Sequence, residues 1–287
     1  MAPGLFVLLW STGFIVARYG TKDAGPITFL AVRTIVASLV LFALAQVLHE
    51  ARIASRQVRI QVVVGLGIHA MYLGGVFVAI DHGLPSGIGA LIAALHPVIT
   101  TILGRFLLGE SLTRRQGLGV VLGFLGVLAV VIERGGAGDG VTAFALCSMF
   151  VAVIGMSVGT LVQRKFSQGT PLLRGTAWQY LSTSAVLGVI AVAAEGWEFT
   201  MTTRSILSLA WAVGVLSIAA VLIMLWLLHR QAASQVSSLF FLTPAFSTME
   251  GAVLFGERLG ALSACGLVVA VAGVWLATSS RATSRQK

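Results

Sequence analysis

Apolar runs near 20 residues long recur from one end of the chain to the other, separated by short polar stretches. An α-helix needs about 20 apolar residues to cross the hydrocarbon core of a bilayer. The pattern therefore predicts an all-α integral membrane protein, with no soluble domain between the runs. The ten predicted transmembrane segments are 3–18, 28–49, 58–80, 86–108, 113–132, 141–163, 171–194, 206–228, 235–255 and 261–280.

The apolar pattern contains an internal repeat. Leu95-His96-Pro97 is followed by Glu110, 13 residues after the proline, and Leu242-Thr243-Pro244 is followed by Glu257 at the same spacing. One offset, 147 residues, also relates Leu112 to Leu259 and Gly126 to Gly273. We predict two five-helix repeats, residues 1–134 and 141–287. Because five is odd, the second repeat is expected to be inverted, an arrangement typical of secondary transporters.

Charge predicts the orientation. Only 10% of residues are charged, against about 25% in soluble proteins. With the N-terminus inside, 13 of the 19 basic residues fall on the cytoplasmic side and five on the other, which favours two cytoplasmic termini. The 13 are Arg52, Arg56, Arg59, Arg105, Arg114, Arg115, Arg164, Lys165, Arg174, Arg230, Arg281, Arg285 and Lys287. The net charge of +9 is then loop charge, and no nucleic-acid partner is expected.

The repeated motifs carry a family resemblance. Leu108-Gly109-Glu110-Ser111-Leu112 and its copy Phe255-Gly256-Glu257-Arg258-Leu259 each follow a segment containing a proline and precede a glycine-rich one. In these features the chain resembles the EamA-type carriers of the drug/metabolite transporter superfamily, and within it the YddG-type exporters of amino acids. The resemblance implies ten helices, both termini inside and a central cavity lined mainly by helices 1, 3, 4, 6, 8 and 9.

Polar and aromatic residues deep in apolar segments are the candidate ligand contacts. Such groups usually face the protein interior or a water-filled cavity, although hydrogen bonding between helices explains them equally. His69 and Tyr72 are three residues apart and share a helix face. The predicted substrate-binding residues are Trp10, Thr12, His69, Tyr72, His96 and Ser157.

Pro97 and Pro244 are predicted to interrupt their helices. A proline inside a helix removes a backbone hydrogen bond and opens the helix about four residues upstream. A fixed kink for packing is one interpretation. Matched kinks in two inverted halves favour the other, a hinge or gate.

Two ionisable residues lie within apolar segments, Glu250 in the ninth and Arg33 in the second. Both are near the predicted outer boundary at similar depth, so a stabilising or gating ion pair is expected. Proton coupling through Glu250 and snorkelling to the interface are the alternatives.

Other motifs predict structural roles. Glu110 and Glu257 follow their helices, where a carboxylate can cap the N-terminus of the next helix. Gly119-x-x-x-Gly123 and Gly155-x-x-x-Gly159 are small-residue motifs that predict close helix packing.

The sequence therefore predicts a secondary transporter, not an enzyme, that exports small metabolites by alternating access across the bacterial inner membrane. Amino acids or similar metabolites are the expected substrates, and a drug or nucleotide-sugar carrier of the same fold is the alternative. A membrane-embedded enzyme is the rival class, but HExxH and paired-Asp motifs are absent from the sequence. We expect no cofactor and no metal site. The partners expected are the substrate and the lipid bilayer; the oligomeric state is open, with a monomer possible.

Overall fold

The computed structural model describes residues 2–108, 113–136, 141–221, 223, 242–257 and 260–278. Most of these residues are helical, and the described chain has no β-strand beyond one isolated bridge between Ala24 and Phe199. The helices are α1 (Ala2–Gly20), α2 (Pro26–Val47), α3 (Ser55–Asp81), α4 (Ser86–Ala93), α5 (His96–Leu108), α6 (Arg114–Gly136), α7 (Ala143–Phe166), α8 (Leu172–Glu195), α9 (Thr203–Ala219), α10 (Thr243–Phe255) and α11 (Ala261–Thr278).

The helices identify a multi-pass membrane protein. Within the described residues, six stretches are long and apolar enough to cross a bilayer, and two shorter apolar helices accompany them. The six are Pro26–Val47, Ser55–Asp81, Ser86–Phe106, Arg114–Glu133, Ala143–Phe166 and Leu172–Glu195. The count of ten spans and the cytoplasmic termini stay predictions, since parts of segments 206–228 and 235–255 lie outside the described residues.

The fourth predicted segment is two helices rather than one. α4 ends at Ala93 and α5 begins at His96, so Pro97 occupies the second position of a new helix instead of the interior of a long one. Proline is tolerated in the first turn because the N–H groups there have no partner within the helix. Pro244 likewise takes the second position of α10.

Carboxylates join the ends of α2 and α8. Glu195, the last residue of α8, accepts hydrogen bonds from the backbone N–H groups of Ile27 and Thr28 at the start of α2, at 2.9 and 2.7 Å. At the opposite end Glu50 accepts from Leu173 and Arg174 at the start of α8, at 3.1 and 2.7 Å. Each carboxylate satisfies orphan donors and faces a positive helix end, so the two helices are antiparallel and capped reciprocally.

Glycines bring α6 and α11 into backbone contact. A Cβ on Gly126 would lie 2.5 Å from the Gly266 carbonyl oxygen, and one on Gly119 would lie 2.6 Å from that of Gly273. Gly67 of α3 similarly meets Gly155 and Gly159 of α7. Both predicted glycine motifs therefore serve close helix packing, as expected for small residues between helices.

Glu257 caps a different helix from the predicted one. Its carboxylate accepts from the backbone N–H groups of Ser86 and Gly87, at 2.9 and 3.3 Å, and caps α4 rather than α11. The start of α11 is capped instead by Glu133, which accepts from Leu262 and Ser263. The helix ends that meet here come from distant parts of the sequence, so each carboxylate caps the helix that lies next to it in space rather than the next helix along the chain. Glu110 lies outside the described residues.

A second set of contacts joins the α1–α2 loop to the start of α9. Arg204 donates to both carboxylate oxygens of Asp23, at 2.6 and 2.5 Å, and the Thr200 N–H donates to the Asp23 carbonyl at 2.7 Å. The hydrogen bond from Arg204 holds the pKa of Asp23 below its usual range. These contacts fasten the α1–α2 loop to the segment that precedes α9.

Two helices contain π-helical turns. Residues Leu66–Met71 of α3 and Trp211–Ala219 of α9 follow this wider spiral. Adding the 147-residue offset to the first range places it within the second, so the turns occupy corresponding positions of the predicted repeats. Such turns are uncommon and are frequent at functional sites.

Candidate functional site

A cavity lies against the break between α4 and α5. Residues of both predicted halves line it: Trp10, Phe14, Tyr72, Ala90, Ala93, Ala94, His96, Pro97, Met156 and Thr243. The wall is apolar and aromatic with a few polar groups, which suits an organic molecule of moderate polarity.

The break itself is stabilised by His96 and Ser157. The imidazole of His96 interacts with the backbone carbonyl of Ala93, the acceptor that an N–H at position 97 would normally satisfy. Pro97 has no N–H to offer, so the preceding side chain takes its place. The hydroxyl groups of Ser157 and Thr100 donate to the His96 carbonyl, at 3.1 and 2.7 Å.

Two of the predicted binding residues, Trp10 and Thr12, lie on α1. Trp10 lines the cavity and packs against Phe6, with ring centroids 5.5 Å apart. Thr12 does not line it. The Thr12 hydroxyl accepts a hydrogen bond from the Trp211 indole N–H at 3.0 Å and joins α1 to the π-helical turn of α9.

His69 lies outside the cavity wall, although Tyr72, one turn further along α3, is part of it. Nε2 of His69 is 3.1 Å from the side-chain oxygen of Gln179, and the His69 ring packs on Tyr180 at 4.4 Å. The Gln179 amide donates in turn to Gln61 at 2.6 Å. The sequence analysis did not predict Gln61 and Gln179 as site residues. Their only signal was an amide inside an apolar segment.

The expected ion pair between Arg33 and Glu250 is wrong for the described structure. Arg33 donates from Nε and Nη2 to the Ser217 hydroxyl, both at 3.3 Å, whereas Glu250 accepts from the Ser11 hydroxyl at 2.6 Å. The second Glu250 oxygen is buried without a hydrogen-bond partner in this structure. The physical reason is packing, because α2 lies on α8 and α9 while α10 lies on α1 and α4.

Among the described residues, no group of three or more His, Cys, Asp or Glu side chains could hold a metal ion. Cys147 and Cys265 are free and exposed. The chemistry available in the cavity wall is hydrogen bonding and aromatic contact, as in the binding site of an organic molecule.

The fold is that of a multi-pass membrane protein with a cavity among its helices, and comparison with known proteins places it in a family. The EamA-like transporter family matches residues 5–132 and 143–279, so the chain belongs to that family. It is 26% identical to a probable amino-acid metabolite efflux pump of Salmonella typhimurium, over 95% of this chain and 92% of that protein. The corresponding Escherichia coli protein, also a probable amino-acid metabolite efflux pump, is 25% identical with the same coverage.

Two further similarities agree with this. An uncharacterized inner membrane transporter of Escherichia coli, YedA, is 24% identical over 94% of this chain and 87% of that protein. A protein known from its crystal structure superimposes with a TM-score of 0.65, covering 97% of this chain and 96% of that one, at 19% identity. The family and its relatives identify a transporter and not an enzyme.

Proposed function

We propose that this protein exports amino acids or closely similar metabolites across the bacterial inner membrane by alternating access. The cavity carries the proposal, because residues from both predicted halves line it and it sits against a broken helix. Transporter binding sites are typically formed by discontinuous helices where two repeats meet. The names of the two similar efflux pumps support the choice of substrate class.

An ion pair next to the cavity helices is a candidate outer gate. Arg18, near the end of α1, pairs with Glu257 at 2.5 Å, and its guanidinium lies 4.1 Å from the Phe255 ring centroid. Because Glu257 also caps α4, the cluster ties together α1, α4 and α10. Each of these helices supplies residues to the cavity wall. Release of the substrate outward would require the cluster to separate, while inward opening would leave it intact.

Transport by the purified protein in proteoliposomes tests the proposal. A panel of radiolabelled amino acids should include at least one that is taken up faster than by protein-free vesicles. His96→Ala should lower that uptake about tenfold or more, because it removes a wall residue and the partner of the Ala93 carbonyl. Cys265→Ala changes an exposed side chain on α11 and should transport like the wild type.

Two results would count against the proposal. One is the absence of uptake for every amino acid in the panel by folded protein. The other is an equal effect of His96→Ala and Cys265→Ala. Thermal unfolding of each variant in detergent separates a lost site from a lost fold.

A further inference from the structure

Arg33 is a buried cation without an anionic partner in the described structure. The residue is 5% exposed, and it lies inside α2 rather than at either end of that helix. Eight of the ten acidic residues of the chain belong to the described part, and none of those eight forms an ion pair with Arg33. Its hydrogen bonds go to one neutral hydroxyl, that of Ser217, and both are long at 3.3 Å.

Such an arrangement is unfavourable unless something else neutralises the charge. Removing an ion from water costs several kcal/mol even after the protein has relaxed around it. Charged residues within a membrane protein are therefore paired or face a functional pathway. A guanidinium has five N–H donors, and Ser217 engages only two of its nitrogen atoms. The remaining donors form a planar fork suited to a carboxylate.

The surroundings of Arg33 have the features of a binding site. Ser217 belongs to the π-helical turn of α9, and its own hydroxyl donates to the Ala212 carbonyl at 3.0 Å, which leaves lone pairs for Arg33. Arg33 also interacts electrostatically with Tyr180 and with His69, and His69 lies in the π-helical turn of α3. Corresponding turns of the two predicted repeats thus flank one cation, in a region where irregular backbone is tolerated only if it is buried or lines a cavity.

The Arg33 region is next to the cavity. His69 precedes Tyr72 by three residues on α3, a separation of about 4.5 Å along a helix axis, and Tyr72 lines the cavity wall. Arg33 does not line the cavity in this structure, so a molecule held against Trp10 and Tyr72 has to extend beyond the present wall, past His69, to reach the guanidinium.

From these observations we infer that Arg33 binds the carboxylate of the transported molecule, in a subsite flanked by the π-helical turns of α3 and α9. The inference rests on the proposed function and deepens it by specifying the class of substrate, a monocarboxylate with an apolar or aromatic body. A single charge is favoured because Arg33 is the only cation within this cluster of described residues, His69 being engaged as a hydrogen-bond partner of Gln179.

Ligand binding to the purified full-length protein in detergent tests the subsite. The probes are L-phenylalanine and L-leucine, each compared with its own amide, and sodium acetate compared with sodium chloride. We expect each acid to bind the wild type about 10- to 100-fold more tightly than its amide, as expected for loss of charge-assisted hydrogen bonds. Arg33→Met should abolish this preference. Arg59→Met, the same substitution at an exposed arginine of α3, should retain it.

Stability provides a second readout. Without ligand, Arg33→Met should unfold at the same temperature as the wild type or higher, because an unpaired buried charge has been removed. An arginine with a purely structural role would give the opposite result. Addition of the acids should raise the unfolding temperature of the wild type and of Arg59→Met, but not that of Arg33→Met.

The outcomes separate the two proposals. Equal binding of acid and amide by the wild type, or unchanged acid binding by Arg33→Met, overturns the carboxylate subsite. Chloride that reproduces the whole effect of acetate also overturns it, since the site would then hold an inorganic anion. If acetate binding depends on Arg33 while no amino acid is transported, the subsite stands and the proposed function fails. If amino-acid transport is unaffected by Arg33→Met, the function stands and the subsite fails.

Discussion

His96 and Pro97 show how two neighbouring residues solve one backbone problem. Proline cannot donate to the carbonyl four residues earlier, and a carbonyl left without a partner in an apolar setting costs several kcal/mol. The His96 imidazole fills that vacancy at Ala93 and still lies in the cavity wall. The same ring therefore stabilises the helix break and presents a polar surface to a ligand. A change at His96 is expected to affect both.

The structure gives Glu250 a different hydrogen-bond partner from the one that the sequence predicted. The sequence favoured a pair with Arg33, which would neutralise both charges, but the Glu250 carboxylate contacts only the Ser11 hydroxyl in the described structure. One Glu250 oxygen is thus left buried without a hydrogen-bond partner, and no described cation pairs with the carboxylate. Reversible protonation would then be the simplest way for Glu250 to couple transport to a proton gradient.

We predict that Glu250→Gln abolishes uptake driven by a pH gradient in proteoliposomes and leaves substrate exchange at equal pH largely intact. The amide mimics the neutral carboxyl and can still accept from Ser11, but it cannot release a proton. Glu198→Gln, at an exposed loop position, serves as the control and should retain gradient-driven uptake. Gradient-driven uptake that persists in Glu250→Gln would exclude proton coupling through this residue.

At the scale of elements, the α6–α11 pair depends on backbone contact. In a membrane, helices associate through close packing and hydrogen bonds rather than through the hydrophobic effect, so small residues at the interface matter. Gly126 is buried there, and an added methyl group would meet both the Gly266 carbonyl and the Ala270 backbone. The helices would have to separate to accommodate it.

Gly126→Ala should therefore destabilise the protein by about 1–3 kcal/mol, the usual effect of overpacking. Gly117→Ala is a matched control on the same helix, because a Cβ at Gly117 meets nothing within 4 Å. It should be neutral or stabilising by up to about 1 kcal/mol, through the helix propensity of alanine. Thermal unfolding in detergent compares the two, and equal unfolding temperatures would show that α6 and α11 do not pack in this way.

At the scale of the whole molecule, contacts between distant segments assemble one face. Asp23 meets Arg204, Glu195 meets Thr28, and Glu257 meets Arg18 and Ser86. These residues lie at or near helix ends, and the charge pattern assigns those ends to the outer side of the membrane. The contacts group the helix ends consistently, whereas only the distribution of basic residues indicates which face is outside.

Cysteine labelling tests this assignment across α8, whose 24 residues span about 36 Å. In a background with Cys147 and Cys265 replaced by serine, Met201→Cys should react with an impermeant thiol reagent added to intact cells. Gln168→Cys, exposed at the opposite end of α8, should react only after permeabilisation. The reverse result would invert the predicted orientation, and equal labelling of both sites in intact cells would refute a membrane crossing between them.

The sequence by itself determined the features that depend on local spacing. Apolar runs of membrane length predicted the helices, and the missing N–H of Pro97 predicted a disturbance near Ala93, where α4 ends. Glycines four residues apart predicted close packing, since that spacing places them on one helix face. The resemblance carried by the repeated Gly-Glu motifs gave the family, which the match over residues 5–132 and 143–279 confirms.

Only the tertiary structure decided which side chains meet. Sequence position gives the depth of a residue along its helix, so Arg33 and Glu250 were placed at one level, but it does not give the order of helices around the bundle. That order separates Arg33 from Glu250 and brings the Glu257 carboxylate to the N-terminus of α4. It also places Tyr72 in the cavity wall and His69 against Gln179. Side-chain partners depend on contacts between helices far apart in the chain, and no local pattern encodes them.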